Sequence, residues 1–253
     1  MLLTPSAESL EAVMTRRTDA HPDMTRPEVE APFFSTWRVG TPERQKVTVE
    51  AIASTWESRP WPTEGLLGYY VYTGHDGTTL LHHSQWADEQ SYEAFAKTHR
   101  QERVDEIDTA VPGIERLSLG RYRRYRSRER AAGDTRTPGL IVTVRIDFEG
   151  SEGFEGFEGF EGEAAERRRD WVDSVFTAMS AAPEDDRGLV AAHFHLSTDG
   201  THVLNYAEWE SEQSYDEALA VSEPAPEWEA VRTAPGVKFT GSRYSYALGL
   251  VPQ

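Results

Sequence analysis

The sequence predicts an α+β fold in which one βαββαβ unit is written twice, and three observations carry this. Shifted by 123 residues, GLLGYYVYTGHDGTTLLHHSQWADEQSY (65–92) falls without a gap on GLVAAHFHLSTDGTHVLNYAEWESEQSY (188–215), with 11 of 28 positions identical. Unrelated segments would share about two, so the unit is duplicated. Asp-Gly stands at the same place in both copies, as Asp76-Gly77 and Asp199-Gly200, between aromatic-rich runs, which is a hairpin signal. The same shift lays Val49, Ile52 and Trp56 on Val172, Val175 and Met179, one apolar stripe at helical spacing per copy.

The elements follow in order. Residues 1–32 read as a polar arm, with a short helix from Ser6 to about Arg16. The first unit, 33–126, opens on the strand FFSTWRV. A helix begins at Thr41-Pro42-Glu43, with a Thr cap, Pro at the first helical position and an acid in the first turn. The two strands of the Asp-Gly hairpin come next, and Asp88 is placed to cap a second helix. IERLSLGRYRRY closes the unit as a last strand. SRERAAGDTRTP (127–138) is polar, with Gly and Pro, and reads as a linker. The second unit, 139–253, repeats the plan with the strand LIVTVRIDF, a cap at Ser211 and the final strand VKFTGSRYSYALGL. The order is that of the ferredoxin-like split. An insertion at about 148–166 contains Phe-Glu-Gly three times in succession and reads as a surface loop or as a lid over a pocket mouth.

Composition narrows the function. The 253 residues carry a formal charge of −17, and the one basic run, GRYRRYRSRER (120–130), reads as a solvated strand edge, which argues against nucleic acid as a partner. Cysteine is absent, so disulfide and thiolate chemistry are excluded. No apolar stretch approaches the roughly 20 residues of a membrane span, and the start lacks the pattern of a signal peptide. A cytoplasmic protein without membrane contact is expected.

Strand alternation sorts the polar candidates. His82, Ser84 and Trp86 share one face, and Leu81, His83 and Gln85 the other; the second copy sets Asn205, Ala207 and Trp209 against Leu204, Tyr206 and Glu208. On the neighbouring strand His193 and His195 share a face and match Tyr70 and Tyr72. Which face holds a pocket stays open at this point. A strand Trp is more often a core residue than a ligand wall, and a lone strand His or Asn is more often a satisfied polar group. The position four before the Trp is His82 in one copy and Asn205 in the other, so any chemistry differs between them.

The tandem plan and the Asn-x-x-x-Trp of NYAEW, followed by Tyr215, resemble the antibiotic biosynthesis monooxygenase family, in its tandem-domain actinomycete form. The resemblance covers residues 33–125 and 139–247. It implies that the two sheets join as an intramolecular pseudo-dimeric α+β barrel, in a monomer or a further homodimer. It also implies a monooxygenase that uses no metal, flavin or haem and takes dioxygen as co-substrate. The substrate would be a small aromatic, polyketide-like anthrone or phenol that reacts as its enolate. On this resemblance Asn205, Trp209, Tyr215 and His195 are the catalytic candidates, with His195 or Tyr215 moving the proton. His82 is the base candidate of the first copy, with Trp86, Tyr92, Tyr70, Tyr72 and His193 as substrate-binding positions. Haem-degrading relatives add a helix His, but the position ten residues past each Trp is Ala96 or Leu219, and His99 falls in the wrong turn. A polyketide cyclase and a non-catalytic ligand-binding barrel are the alternatives.

Overall fold

The computed structural model describes residues 13–150, 162–181, 188–220 and 225–253. Its elements are β1 (Thr15–Thr18), β2 (Ala31–Arg38), α1 (Pro42–Glu57), β3 (Leu66–Gly74), β4 (Thr79–Trp86), α2 (Glu89–Thr98), α3 (Arg100–Ala110) and β5 (Glu115–Arg128). The second repeat supplies β6 (Leu140–Phe148), α4 (Glu163–Ala181), β7 (Leu189–Ser197), β8 (His202–Trp209), α5 (Glu212–Leu219), α6 (Pro226–Arg232) and β9 (Val237–Pro252). Residues 151–161, with most of the Phe-Glu-Gly run and both readings of it, lie outside the described residues.

Strands β2 to β9 close into one antiparallel barrel of eight, in the order β9-β3-β4-β2-β5-β7-β8-β6, with β6 pairing back onto β9. Two long strands make the closure. Glu115–Arg121 of β5 pairs with β2 of its own repeat, and Tyr122–Arg128 crosses to β7 of the other. Likewise Val237–Tyr244 of β9 pairs with β6, and Tyr244–Leu250 crosses to β3. The basic run is therefore a seam and not an edge. Its arginines are engaged there, Arg126 with Asp173 at 2.6 Å and Arg124 with the Met24 carbonyl at 2.8 Å.

The caps read from the sequence form. Thr41 accepts from the Arg44 amide at 3.2 Å, Asp88 from Ser91 at 2.6 Å, and Ser211 makes a reciprocal capping box with Ser214. The predicted second helix is two helices in each repeat, broken in the first at His99, whose φ of −124° leaves the helical range. Most of the helix expected from Ser6 to about Arg16 lies outside the described residues; its end does not form, since Arg16 lies on β1, which pairs antiparallel with the end of β9. Beyond β1 the arm crosses one end of the barrel, where Gln85 Nε2 donates to the Asp23 carbonyl at 2.8 Å and His21 stacks on Tyr246 at 4.5 Å.

Each sheet has two buried faces. The outer faces pack against the helices and form one apolar core per repeat, around Trp56 and Trp86 in the first and Trp171 and Trp209 in the second. The inner faces meet in the barrel, filled by rings that include Phe34, Tyr70, Tyr72, Tyr122 and Tyr206.

Candidate active site

Strand alternation places Val142, Val144 and Ile146 of β6, Ala192 and Phe194 of β7, and Asn205, Ala207 and Trp209 of β8 on the face that meets α4 and α6. Between this face and the helices lies a cavity of about 370 Å³, in the range of small-molecule sites. Asn205, Trp209 and Tyr215 all line it, among a lining that is otherwise almost wholly carbon. Met179 and Val175 of α4 form the roof, Trp228 and Val231 of α6 a side, and Phe239 and Gly241 of β9 the far wall.

Two polar atoms in this apolar setting lack partners. Among the described residues Asn205 Oδ1 and Trp209 Nε1 are buried without a hydrogen bond. An unpaired buried donor or acceptor costs about 1–3 kcal/mol, which a ligand carrying the complementary groups would recover. Tyr215 packs edge-on against Trp209 with centroids 5.1 Å apart, and its ring lies under the Arg243 guanidinium at 4.9 Å. Burial raises the Tyr215 phenol above its usual range, outweighing Arg243, so at neutral pH it is protonated and acts as a donor.

His195 is not in this cavity. It and His193 lie on the opposite side of β7, facing the barrel interior with Tyr70, Tyr72 and His83, because residues of odd and even number on a strand face opposite ways. His195 is 1% exposed and stacks edge-on with Phe34 at 5.4 Å; burial lowers its pKa to about 4. His193 shares a hydrogen bond with Ser127 at 2.9 Å, and burial holds it at about 3. Tyr72 and Tyr206 join hydroxyls across the barrel at 3.1 Å. The structure thus brings together three of the predicted catalytic residues and separates His195, and with it Tyr70, Tyr72 and His193, from every helix-side pocket.

The first repeat has an equivalent pocket whose interior is built differently. Trp86 and Tyr92 line it and repeat the edge-on contact at 5.4 Å. Here the Trp86 indole donates to Ser84 Oγ at 2.9 Å, a partner that becomes Ala207 in the second repeat. His82 lies beneath the pocket wall, 3% exposed, sharing a 2.7 Å hydrogen bond with the Tyr69 hydroxyl and packed at a tilt against Trp37, with centroids 4.1 Å apart. Burial, and after it Arg116, lowers His82 to about 3. It is a neutral core histidine that does not itself line the pocket, and it meets the pocket wall through the Tyr69 hydroxyl.

Sequence reasoning overlooked the alanines. Tyr69, Ser84 and Phe95 of the first repeat correspond to Ala192, Ala207 and Ala218, all on the wall of the second cavity. Among the described residues no histidine lines that cavity, so an iron porphyrin held through imidazole does not fit this donor set.

No family model matches the chain, and no curated protein matches it. Solved structures do. An anthrone oxidase-like protein superposes with a TM-score of 0.58 at 16% identity, covering 87% of this chain and 92% of its own. A provisionally named monooxygenase of Fusobacterium nucleatum gives 0.54 at 10% identity over 87% and 94%. A provisionally named chlorite dismutase gives 0.51 at 8% identity over 87% and 95%. At such identities the likeness is one of fold, shared by proteins named for different chemistries.

Proposed function

We propose that the chain is a monooxygenase acting on an aromatic, polyketide-like anthrone or phenol in the cavity beside Asn205 and Trp209, with dioxygen as co-substrate and no metal, flavin or haem. The observation that carries this reading is the pair of buried groups unpartnered among the described residues, Asn205 Oδ1 and Trp209 Nε1, on a cavity lined mostly by carbon. A ring system with one carbonyl and a flanking hydroxyl meets both needs: the indole and the Tyr215 hydroxyl donate to its oxygen, and the Asn205 amide accepts from its hydroxyl. Donors at that oxygen in a water-poor surround stabilise the enolate. The overall step converts a methylene between two rings and one dioxygen into a carbonyl and one water, so atoms and electrons balance within substrate and oxygen.

The proton is the departure from expectation. With His195 on the other sheet face and Tyr215 held protonated, no side chain lining the cavity among the described residues is a general base at neutral pH. The substrate's own acidity then supplies the enolate, and the cavity lowers its cost. Oxygen uptake on an anthrone should rise with pH along the substrate's ionisation, with no inflection near the usual histidine range. Asn205→Ala and Trp209→Phe should each lower kcat/KM by about 10- to 100-fold, while His195→Gln leaves it within about threefold. A flat oxygen-electrode trace across tricyclic phenols and anthrones would sink the proposal.

A further inference from the structure

The pocket of the first repeat differs in charge from its counterpart. It has about the same volume, 370 Å³, and is walled by aromatic rings including Trp37, Trp56, Trp86 and Tyr92. Three arginines, Arg100, Arg103 and Arg116, also line it. The second cavity has one arginine, the exposed Arg232.

Among the described residues one of the three is ion-paired with a carboxylate. Arg116 is bidentate on Asp108 at 2.8 and 3.1 Å and lies over Trp37 at 4.7 Å. Arg103, 4% exposed, donates to the carbonyls of His99 at 3.0 Å and Pro60 at 3.3 Å and sits 4.8 Å over Trp56. Its Nε has no partner. Arg100, half-buried at the first position of α3, makes no hydrogen bond, ion pair or ring contact among the described residues. Glu106, one turn beyond Arg103, is engaged by Arg59 at 2.5 Å and Thr55 at 3.0 Å. Glu102 and Glu106 act on Arg103 only through space, so in a chain with a formal charge of −17 three guanidinium groups on one ring-lined pocket stand out, with Arg100 the one that no carboxylate engages among the described residues. A cation shielded from water favours an anion beside it, and the positive end of α3 adds to the same field.

We propose that the first-repeat pocket is a second ligand site, which takes a planar aromatic carboxylate with its ring among the indoles and its carboxylate on Arg100, supported by Arg103. A compact inorganic anion satisfies the charge but leaves the ring walls uncovered. A neutral aromatic covers the walls and leaves Arg100 unpaired. The site is independent of the oxygenase reading, because Asn205 and Arg100 lie in different repeats.

Isothermal titration of the full chain with 2-naphthoate, 2-naphthamide and inorganic phosphate tests this. Naphthoate should bind at least about tenfold more tightly than its amide, the difference a charge-assisted hydrogen bond makes, and phosphate should not displace it at equal concentration. Arg100→Gln should remove the preference for carboxylate over amide, Arg100→Lys should keep most of it, and Asn205→Ala should leave it unchanged. Equal affinity for acid and amide overturns the proposal, as does displacement by phosphate. So does indifference to Arg100→Gln, or loss of the preference in Asn205→Ala, which would assign the ligand to the other cavity.

Discussion

Asn205 and His82 occupy the same place in their repeats, yet what separates their surroundings is the size of the neighbours. Tyr69 fills the space over His82, whereas Ala192 leaves it open over Asn205. Ala192→Tyr should therefore close the second cavity, since it installs on β7 the residue that β3 already carries. Oxygen uptake and anthrone binding should fall by at least about tenfold, while the melting temperature moves by a few degrees at most, because an aromatic suits a strand position. Comparing the copies for identity singled out Asn205, but comparing them for volume was needed to find the cavity. A second prediction concerns the inner rings. His83 and His193 are held at about 3 and His195 at about 4, burial being the first cause in each. These pKa values lie below the unfolded value of about 6.5, so the unfolded chain binds more protons. Their stabilising contribution is complete above about pH 6.5 and is lost as pH falls toward 4, by at most about 1.4 kcal/mol per pH unit for each histidine. Urea titrations from pH 7 to 4 should show this slope, and His83→Phe, which removes one titrating ring beside Phe34, should flatten it.

The repeated Gly-Leu and Glu-Gln-Ser-Tyr belong to one joint, seen when the elements are placed together. In each copy the carbonyl of the glycine before the second strand accepts an amide just beyond the hairpin Trp: Gly65 from Ala87, and Gly188 from Glu210, both at 2.8 Å. The serine of Glu-Gln-Ser-Tyr covers that glycine so closely that a Cβ would meet Ser91 Oγ at 2.2 Å or Ser214 Oγ at 2.5 Å. Gly188 also has φ +84°, outside the range L side chains favour. Gly188→Ala should cost about 1–3 kcal/mol, read as a lower urea midpoint, and should loosen the capping box of α5 through Ser214. Gly65→Ala lacks the backbone penalty and should cost less unless Ser91 is held fast. The caps and hairpins were legible because their signals are local. The break at His99 and the strand at Thr15–Thr18 were not: the first is a single backbone departure and the second depends on an open edge of β9, more than two hundred residues away. The face carrying the cavity was hidden for a similar reason. Alternation sorts residues into two sets, but both faces of these sheets are buried, and only the helices decide which set meets a pocket.

At the scale of the molecule the two repeats are joined by the strands that close them. Half of β5 and half of β9 pair with the other repeat, and the inner faces share one ring-filled interior, with Tyr72 and Tyr206 bonded across it. A single repeat would leave the crossing half of its long strand unpaired and expose several tyrosines. Burying such a ring is worth about 1.5–3 kcal/mol. The linker carries little of this. Residues 129–138 contain no strand or helix, and one of their anchors to the barrel is the ion pair of Arg130 with the buried Glu208 at 2.8 Å. Limited trypsin cleavage within 129–138 is therefore expected to yield two fragments that elute together on size exclusion at the volume of the intact chain and separate only in denaturant. Residues 139–253 expressed alone should aggregate or recruit a second copy, because its seam strands then have no other partner. Separation of the nicked halves in native buffer, or a soluble monomeric second repeat, would show that the barrel seam holds less than its pairing suggests, and that each repeat closes its own core without the other.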